Sequence, residues 1–519
     1  MKKQSLLKGT LILGAAGIIA KFLGLFFRWP LIMLVGDEGI GYYQMSYPLY
    51  MFFIGIASGG PVAISKLVSE RNAVNDKEGV GKILKSSLIF MGMLGIGGTL
   101  CLLLLAKPII GFLKWDPKAY YSIVGIAFAP MFISIVSCYR GFFQGLQNMN
   151  PTAKSQIIEQ IGRVIVGVGL AYLLLPKGIE FSAGGGAFGA AAGGILACIY
   201  LMGMFNKEKH KIFPKGYKLK TDVGVMGRLI YTAIPISLGA TVGTIMSLID
   251  SLLVPQKLLG AGFTHKEATM LFGQLSGKAS VVVNIPLTIS IALGASLVPI
   301  ISESFILRRK QEVFEKIALS FKLSFAIGLP SVLGLYALAN PIMNMLFPGH
   351  ADGYEILKYL SFSILFIILA QTTTSILQGI GHIYRPVLNL FIGCVVKVVL
   401  TWVLVPIKSL NIYGAVIATV SAYIVAAVLN YRVMERKLQV KVNLNDVLVK
   451  PAFASLIMII SVMASFTFLR NNSVGSSLAC LISIALGIII YVVLIIILGV
   501  FSYNYIKEKL FRNKEKTSW

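Results

Sequence analysis

Apolar residues occur along this chain in long runs, and short polar segments separate one run from the next. Most runs have about twenty residues, the length that an α-helix needs to cross the hydrocarbon core of a bilayer. About fourteen such runs lie near residues 9–35, 41–67, 83–106, 120–143, 156–176, 185–205, 229–254, 270–300, 318–346, 356–378, 386–406, 411–433, 449–469 and 477–500. The pattern therefore predicts an all-α polytopic membrane protein.

Basic residues are concentrated in alternate loops between these predicted spans. They precede the first span, follow spans 2, 6, 8 and 12, and recur in the tail after the last span. The opposite loops, such as "GDEGIG" (36–41) and "FPGHADGYE" (347–355), carry acids or few charges. Because lysine and arginine accumulate in cytoplasmic loops, both termini are predicted to be cytoplasmic.

Paired prolines and a shared motif indicate an internal repeat. Pro48 and Pro61 are 13 residues apart, as are Pro286 and Pro299, and one offset of 238 residues relates the two pairs. The segment "FFQGLQNMNP" after span 4 also resembles "ILQGIGHIYRP" after span 10. These matches predict two halves of the same orientation, related by an axis along the membrane normal.

The repeat gives a domain organisation. We predict a six-helix lobe over residues 1–225, a second six-helix lobe over 226–434, and two further helices with a basic cytoplasmic tail over 435–519. Arg163 and Lys397 each lie 19 residues after the glutamine of the shared motif. These two cations are therefore predicted to face each other across the axis that relates the two halves.

The overall composition excludes several classes of function. Of the 519 residues, 56% are hydrophobic and only 13% are charged, which leaves too little polar surface for a soluble protein. The net charge of +26 lies mainly in loops as topology signals, so we predict no nucleic-acid partner. The five cysteines lie inside apolar runs without metal-ligand spacing, which predicts neither disulfides nor a metal site.

The first span contains two cations. Lys21 and Arg28 are seven residues apart, nearly two helical turns, so they lie on one face of the helix. A cation at the centre of a bilayer costs about 2.5 kcal/mol or more. The apolar run continues past Lys21 to Val35 without a signal-peptide cleavage site, which predicts an uncleaved first helix.

Cations outnumber acids in the other spans as well. The remaining interior charges include Arg163, Lys278 and Lys397, and the acids Glu159 and Asp250. Glu159 precedes Arg163 by four residues and can partly neutralise it, while Asp250 is a candidate partner for Arg28. One interpretation is that all of these are snorkelling cations and structural ion pairs. The excess of interior cations favours a cavity that holds an anion.

The chain has no signature of catalysis. All four histidines fall in loops, and no carboxylate pair, nucleophile elbow, P-loop or HExxH pattern occurs. The glycine-rich segment "SAGGGAFGAAAGG" (182–194) is typical of close helix packing rather than of phosphate binding. We therefore predict that the protein is not an enzyme and uses no cofactor.

Three segments carry a resemblance to a known family: "GDEGIGYYQMSYPLY" (36–50), "GGPVAISKLVSE" (59–70) and the QG motif after span 4. With the span count and the repeat, they resemble the stage V sporulation protein B group of polysaccharide transporters. This group belongs to the multidrug/oligosaccharidyl-lipid/polysaccharide exporter superfamily, which also contains the MurJ-type lipid II flippases. The resemblance implies a two-lobed fold around a central cavity that opens alternately to each side of the membrane.

The resemblance also implies a function and part of a site. Lys21 and Arg28 approximately match cations that face the cavity in the flippases, and Lys278 lies near a further one. Lysine at position 21, where the flippases tend to have arginine, binds phosphate as a point charge. With Arg163 and Lys397, these residues are predicted to bind the pyrophosphate of an undecaprenyl-linked saccharide or a lipid II-like peptidoglycan precursor. The expected activity is its movement from the inner to the outer leaflet, for cell-wall or spore-cortex synthesis.

The same residues suggest how transport is driven and which partners the protein has. We expect either the membrane potential or a coupled H⁺ or Na⁺ to drive transport, with Asp250 and Glu159 as coupling or ion-pair candidates. The expected protein is a monomer in the bacterial cell membrane, in contact with membrane lipids and with cell-wall synthesis proteins as candidate partners.

A cation-coupled multidrug antiporter would favour interior carboxylates, and a lipid-linked glycosyltransferase would need a long extramembrane loop or an acid cluster. A non-transporting envelope scaffold would not need interior cations.

Overall fold

The computed structural model describes residues 6–214, 217, 220–439 and 445–500. The chain forms two compact units, Met1–Gly277 and Lys278–Trp519. Over the described residues its regular structure is entirely helical. The basic tail that the sequence predicts, within residues 501–519, lies outside the described part.

Helices α1 to α9 belong to the first unit, and α10 to α18 belong to the second. The first set is α1 Leu6–Ala57, α2 Gly59–Ala73, α3 Lys77–Leu113, α4 Ala119–Ala127, α5 Ala129–Gly145, α6 Asn150–Leu174, α7 Ile179–Ile212, α8 Val223–Gly260 and α9 His265–Phe272. The second set is α10 Ser280–Ile306, α11 Lys310–Ala337, α12 Ala339–Leu346, α13 Tyr354–Leu360, α14 Ser363–Gly379, α15 Tyr384–Leu404, α16 Asn411–Leu438, α17 Lys450–Asn471 and α18 Ser476–Ile497. A π-helical segment, Gly273–Ala279, connects α9 to α10.

The predicted all-α polytopic fold is confirmed. Among the described residues, 11 helices are long and apolar enough to cross a membrane, or 12 if the bent pair α13–α14 forms one span. The first predicted span and most of the second lie in the single segment α1, whose helical path breaks at Gly36 with φ 60° and ψ −164°, and the second span continues into α2. Glycine takes this backbone conformation without the strain that a side chain would add. The break lies at the loop that the sequence predicts between these two spans.

The "GDEGIGYYQ" segment of α1 packs against α9 and the π-helical segment. A Cβ atom on Gly41 would lie 2.2 Å from the carbonyl oxygen of Thr269, so only glycine permits this approach. Beside it, Gln44 Nε2 donates to the carbonyl oxygen and the hydroxyl of Ser276, each at 2.7 Å. Gln274 Nε2 donates to Asp37 Oδ2 at 2.7 Å. The polar residues of this motif therefore hold helices together within the first unit.

The glycine-rich segment of α7 packs closely against α6, as predicted. A Cβ atom on Gly193 would lie 2.3 Å from the carbonyl oxygen of Glu159, and one on Gly189 would lie 2.8 Å from that of Arg163. Small residues allow such backbone contact between membrane helices. This packing fixes α6, which carries the polar residues of the candidate site.

Helix α8 packs against α1 and α2 in the first unit, although the repeat assigns it to the second predicted lobe. A Cβ atom on Gly59 would lie 2.1 Å from the carbonyl oxygen of Ala233, and one on Gly55 would lie 3.2 Å from Thr241 Cα. The boundary between the two compact units therefore lies between Gly277 and Lys278. The two six-helix lobes remain a prediction made from the internal repeat.

Candidate functional site

Arg28 lies over an aromatic ring in the first unit. Its Cζ atom is 5.6 Å from the ring centroid of Tyr47, a cation–π distance. Tyr47 stacks on Tyr43, with 5.5 Å between ring centroids and 24° between ring planes, and it contacts Tyr50 at 5.9 Å. We call Tyr43, Tyr47 and Tyr50 the tyrosine ladder, since their spacing places them along one face of α1.

Arg163 faces the same ladder from α6. Its residue surface is only 9% exposed, and its Nε atom has no hydrogen-bond partner among the described residues. Arg163 interacts electrostatically with all three tyrosines of the ladder, and Tyr43 also interacts in this way with Arg28. The structure therefore brings two of the five predicted site cations to one aromatic surface.

Lys21 is exposed on the same part of α1. Gly24 lies between Lys21 and Arg28 on one helical face, and a Cβ atom there would be 3.8 Å from Gln160 Oε1 of α6. The face of α1 that carries both cations is therefore adjacent to the polar residues of α6.

Glu159 forms an ion pair with Arg140. The Arg140 Nη2 atom donates to Glu159 Oε2 at 2.9 Å, and its Nε atom donates to Ser155 Oγ at 2.9 Å. The two charged side chains are 15% and 11% exposed. Glu159 also interacts electrostatically with Arg163, one helical turn further on. The Glu159 carboxylate therefore forms an ion pair with Arg140 and also interacts electrostatically with Arg163.

Lys278 lies in the π-helical segment at the start of the second unit and is fully buried. Its Nζ atom donates to the carbonyl oxygens of His350 at 2.6 Å and Asp352 at 3.3 Å. These carbonyls belong to the loop between α12 and α13, where Gly349 and Gly353 have φ of 77° and 90°. The ammonium group therefore anchors this loop.

Two predicted residues remain, one in each unit. Lys397 is buried on α15 in the second unit, and Asp250 is half-buried on α8 in the first. Within the described ranges, Arg28 makes no ion pair with Asp250 and lies over Tyr47 instead. In the same ranges, no group of three or more His, Cys, Asp or Glu side chains could hold a metal ion.

Replacing Lys278 with methionine is expected to loosen the loop at 347–353. The change leaves two carbonyl oxygens without their donor, at a cost of about 1–3 kcal/mol. Faster cleavage of this loop by added protease would report the effect. Lys266→Met on α9 is the control, because that lysine is 67% exposed. Equal cleavage of both variants and the wild type would show that Lys278 does not hold the loop.

Comparison with known proteins agrees with the fold and the motifs. Residues 6–305 match the family model described as polysaccharide biosynthesis protein. The chain is 29% identical over 502 residues to stage V sporulation protein B of Bacillus subtilis (strain 168), which covers 96% of each chain. It is 28% identical over 459 residues to lipid II flippase MurJ of the same organism, which covers 83% of each.

A solved structure shows the same fold. The structure of lipid II flippase MurJ in an inward closed conformation matches with a TM-score of 0.70 and 15% sequence identity, covering 97% of this chain and 100% of that one. Members of this group are multi-pass membrane transporters and not enzymes. The chain therefore belongs to the polysaccharide biosynthesis family of the multidrug/oligosaccharidyl-lipid/polysaccharide exporter superfamily, as its motifs predict.

Proposed function

We propose that this protein moves an undecaprenyl-pyrophosphate-linked saccharide or a lipid II-like peptidoglycan precursor from the inner to the outer leaflet of the bacterial cell membrane. The observation that carries the proposal is the pair Arg28 and Arg163, which face one aromatic surface from two helices of the first unit. A guanidinium inside a membrane protein is costly without a partner, and an anionic ligand would supply one for Arg28, which has no ion pair among the described residues. Guanidinium groups also bind phosphate oxygens through paired N–H donors.

Further cations extend the proposed site. Lys21 adds a charge on the same face of α1, where its exposed ammonium group can meet a phosphate first. We keep Lys397 among the anion-binding residues as the repeat equivalent of Arg163. We assign Lys278 primarily to the loop that it anchors, since its ammonium group already donates to two carbonyl oxygens.

We propose that the membrane potential drives the movement, with both termini in the cytoplasm. The potential is negative inside, so an anion gains free energy on its way to the outer leaflet. At about 2.3 kcal/mol per charge per 100 mV, a pyrophosphate with two charges gains about 5 kcal/mol across the whole field. This gain is enough to favour outward transport without a coupled ion.

The test is a flipping assay in liposomes. Purified protein is reconstituted with labelled lipid-linked disaccharide-pentapeptide, and headgroup exposure is followed with and without an imposed potential. We expect protein-dependent exposure that accelerates when the compartment holding the substrate headgroup is negative. No exposure of this or other polyprenyl-pyrophosphate saccharides, together with export of cationic drugs, would overturn the proposal in favour of an antiporter.

A further inference from the structure

Tyr47 holds Arg28 by a contact that consumes none of the N–H donors of the guanidinium. The attraction arises between the cation and the face of the ring, so the donors stay available to another group. Among the described residues, Arg28 has neither a hydrogen bond nor an ion pair. Its charge is therefore held in place but not neutralised.

Arg140 shows the opposite arrangement in the same unit. Its Nη2 atom is bonded to Glu159 and its Nε atom to Ser155, both at 2.9 Å. A carboxylate partner cancels the charge and occupies the donors that a phosphate would need. Arg28, with its aromatic partner, can therefore still bind an anion. Arg140, with its carboxylate partner, is part of the structural framework.

The contact also joins two limbs of α1 across the break at Gly36. Arg28 and Tyr47 are 19 residues apart in the sequence, which would be about 28 Å along an unbroken helix. Their contact at 5.6 Å requires the chain to turn back at Gly36. The adjacent residue Phe27 makes the matching contact with Tyr43, at 5.8 Å between ring centroids.

The ladder limits the motion of the Tyr47 ring. Tyr43 and Tyr50, on either side of it, are only 2% and 3% exposed. A ring between two buried neighbours has few alternative positions, because packed side chains occupy the surrounding space. The fold thus fixes the ring before any ligand arrives.

We infer that Tyr47 is a positioning residue that holds Arg28 ready to bind the phosphate groups of a lipid-linked substrate, and that its ring rather than its hydroxyl does this. The inference rests on the proposed function, because it assigns the phosphate groups of that substrate to Arg28. Because the Tyr47 ring carries no charge, it leaves the positive charge of Arg28 available to attract an anionic substrate.

The experiment is a double-mutant cycle in the liposome assay. Tyr47→Leu is expected to lower the initial rate of headgroup exposure about fivefold, mainly by raising the substrate concentration for half-maximal rate. Tyr47→Phe keeps the ring and is expected to restore the rate to near that of the wild type. In an Arg28→Ala background, Tyr47→Leu should cause no further loss, because the two residues act as one unit.

Matched variants keep the outcomes distinct. Tyr120→Leu removes a comparable contact, with Lys107 Nζ at 5.7 Å from the Tyr120 ring, and should leave transport unchanged. Tyr47→Gln is a second ring-free variant in case Tyr47→Leu does not fold. A wild type without transport would overturn the proposed function. A transporting wild type with equal rates for the Leu, Gln and Phe variants, or additive losses in the cycle, would overturn the role of Tyr47 alone.

Discussion

Arg28→Ala is expected to lower the rate of headgroup exposure by about tenfold or more, since a hydrogen bond to a charged group contributes about 1.5–3 kcal/mol. The variant removes a guanidinium that has no hydrogen bond or ion pair in the described part of the chain, and it leaves the tyrosine ladder in place. Arg28→Lys keeps the charge but loses the planar fork, so an intermediate rate is expected. Adding Lys21→Ala to Arg28→Ala should lower the rate further.

The rate is measured in liposomes at matched protein density, with thermal unfolding in detergent as the check of folding. Lys107→Ala is the control, because it removes an exposed cation that also lies over a tyrosine but is separate from the ladder. If Arg28→Ala and Lys107→Ala both transport at the wild-type rate, then Arg28 does not bind the substrate. A loss in both variants would instead indicate a general effect of surface charge.

The helices could be predicted because membrane spans have a signal of their own. An apolar run of about twenty residues is rare outside membrane helices, and each predicted span lies over one helix or over consecutive helices. The packing of α8 against α1 and α2 had no such signal. It depends on close backbone contacts at Gly55 and Gly59 with residues of a distant helix, and glycines of this kind occur throughout membrane helices.

Part of the candidate site could also be predicted from the sequence. Charges inside apolar runs are rare, so Arg28 and Arg163 could be found in the sequence alone. The spacing of Tyr43, Tyr47 and Tyr50 was equally visible, but a row of aromatic residues along a span usually indicates core packing. The partners of Lys278 could not be found in this way, since they are backbone carbonyls 72 and 74 residues away in the sequence.

Glu159→Gln is expected to lower the free energy of unfolding by about 3 kcal/mol, the lower end for a buried ion pair that loses one partner. Glutamine still accepts a hydrogen bond from Arg140, but its neutral side chain leaves two guanidinium groups, Arg140 and Arg163, without the shared carboxylate. The partial exposure of the pair, 15% and 11%, argues against a larger loss. Denaturant unfolding in detergent micelles would measure the change.

The apolar double variant Arg140→Met/Glu159→Leu separates charge from packing. Because replacing both partners removes the desolvation cost as well as the attraction, this variant should be more stable than Glu159→Gln. Glu78→Gln is the control, since its pair with Lys82 is 56% and 33% exposed and should contribute less than about 1 kcal/mol. If Glu159→Gln is as stable as Glu78→Gln, the pair is solvated and Glu159 does not balance the charges of Arg140 and Arg163. A larger loss in the double variant than in Glu159→Gln would mean that side-chain volume, rather than charge, stabilises this part of α6.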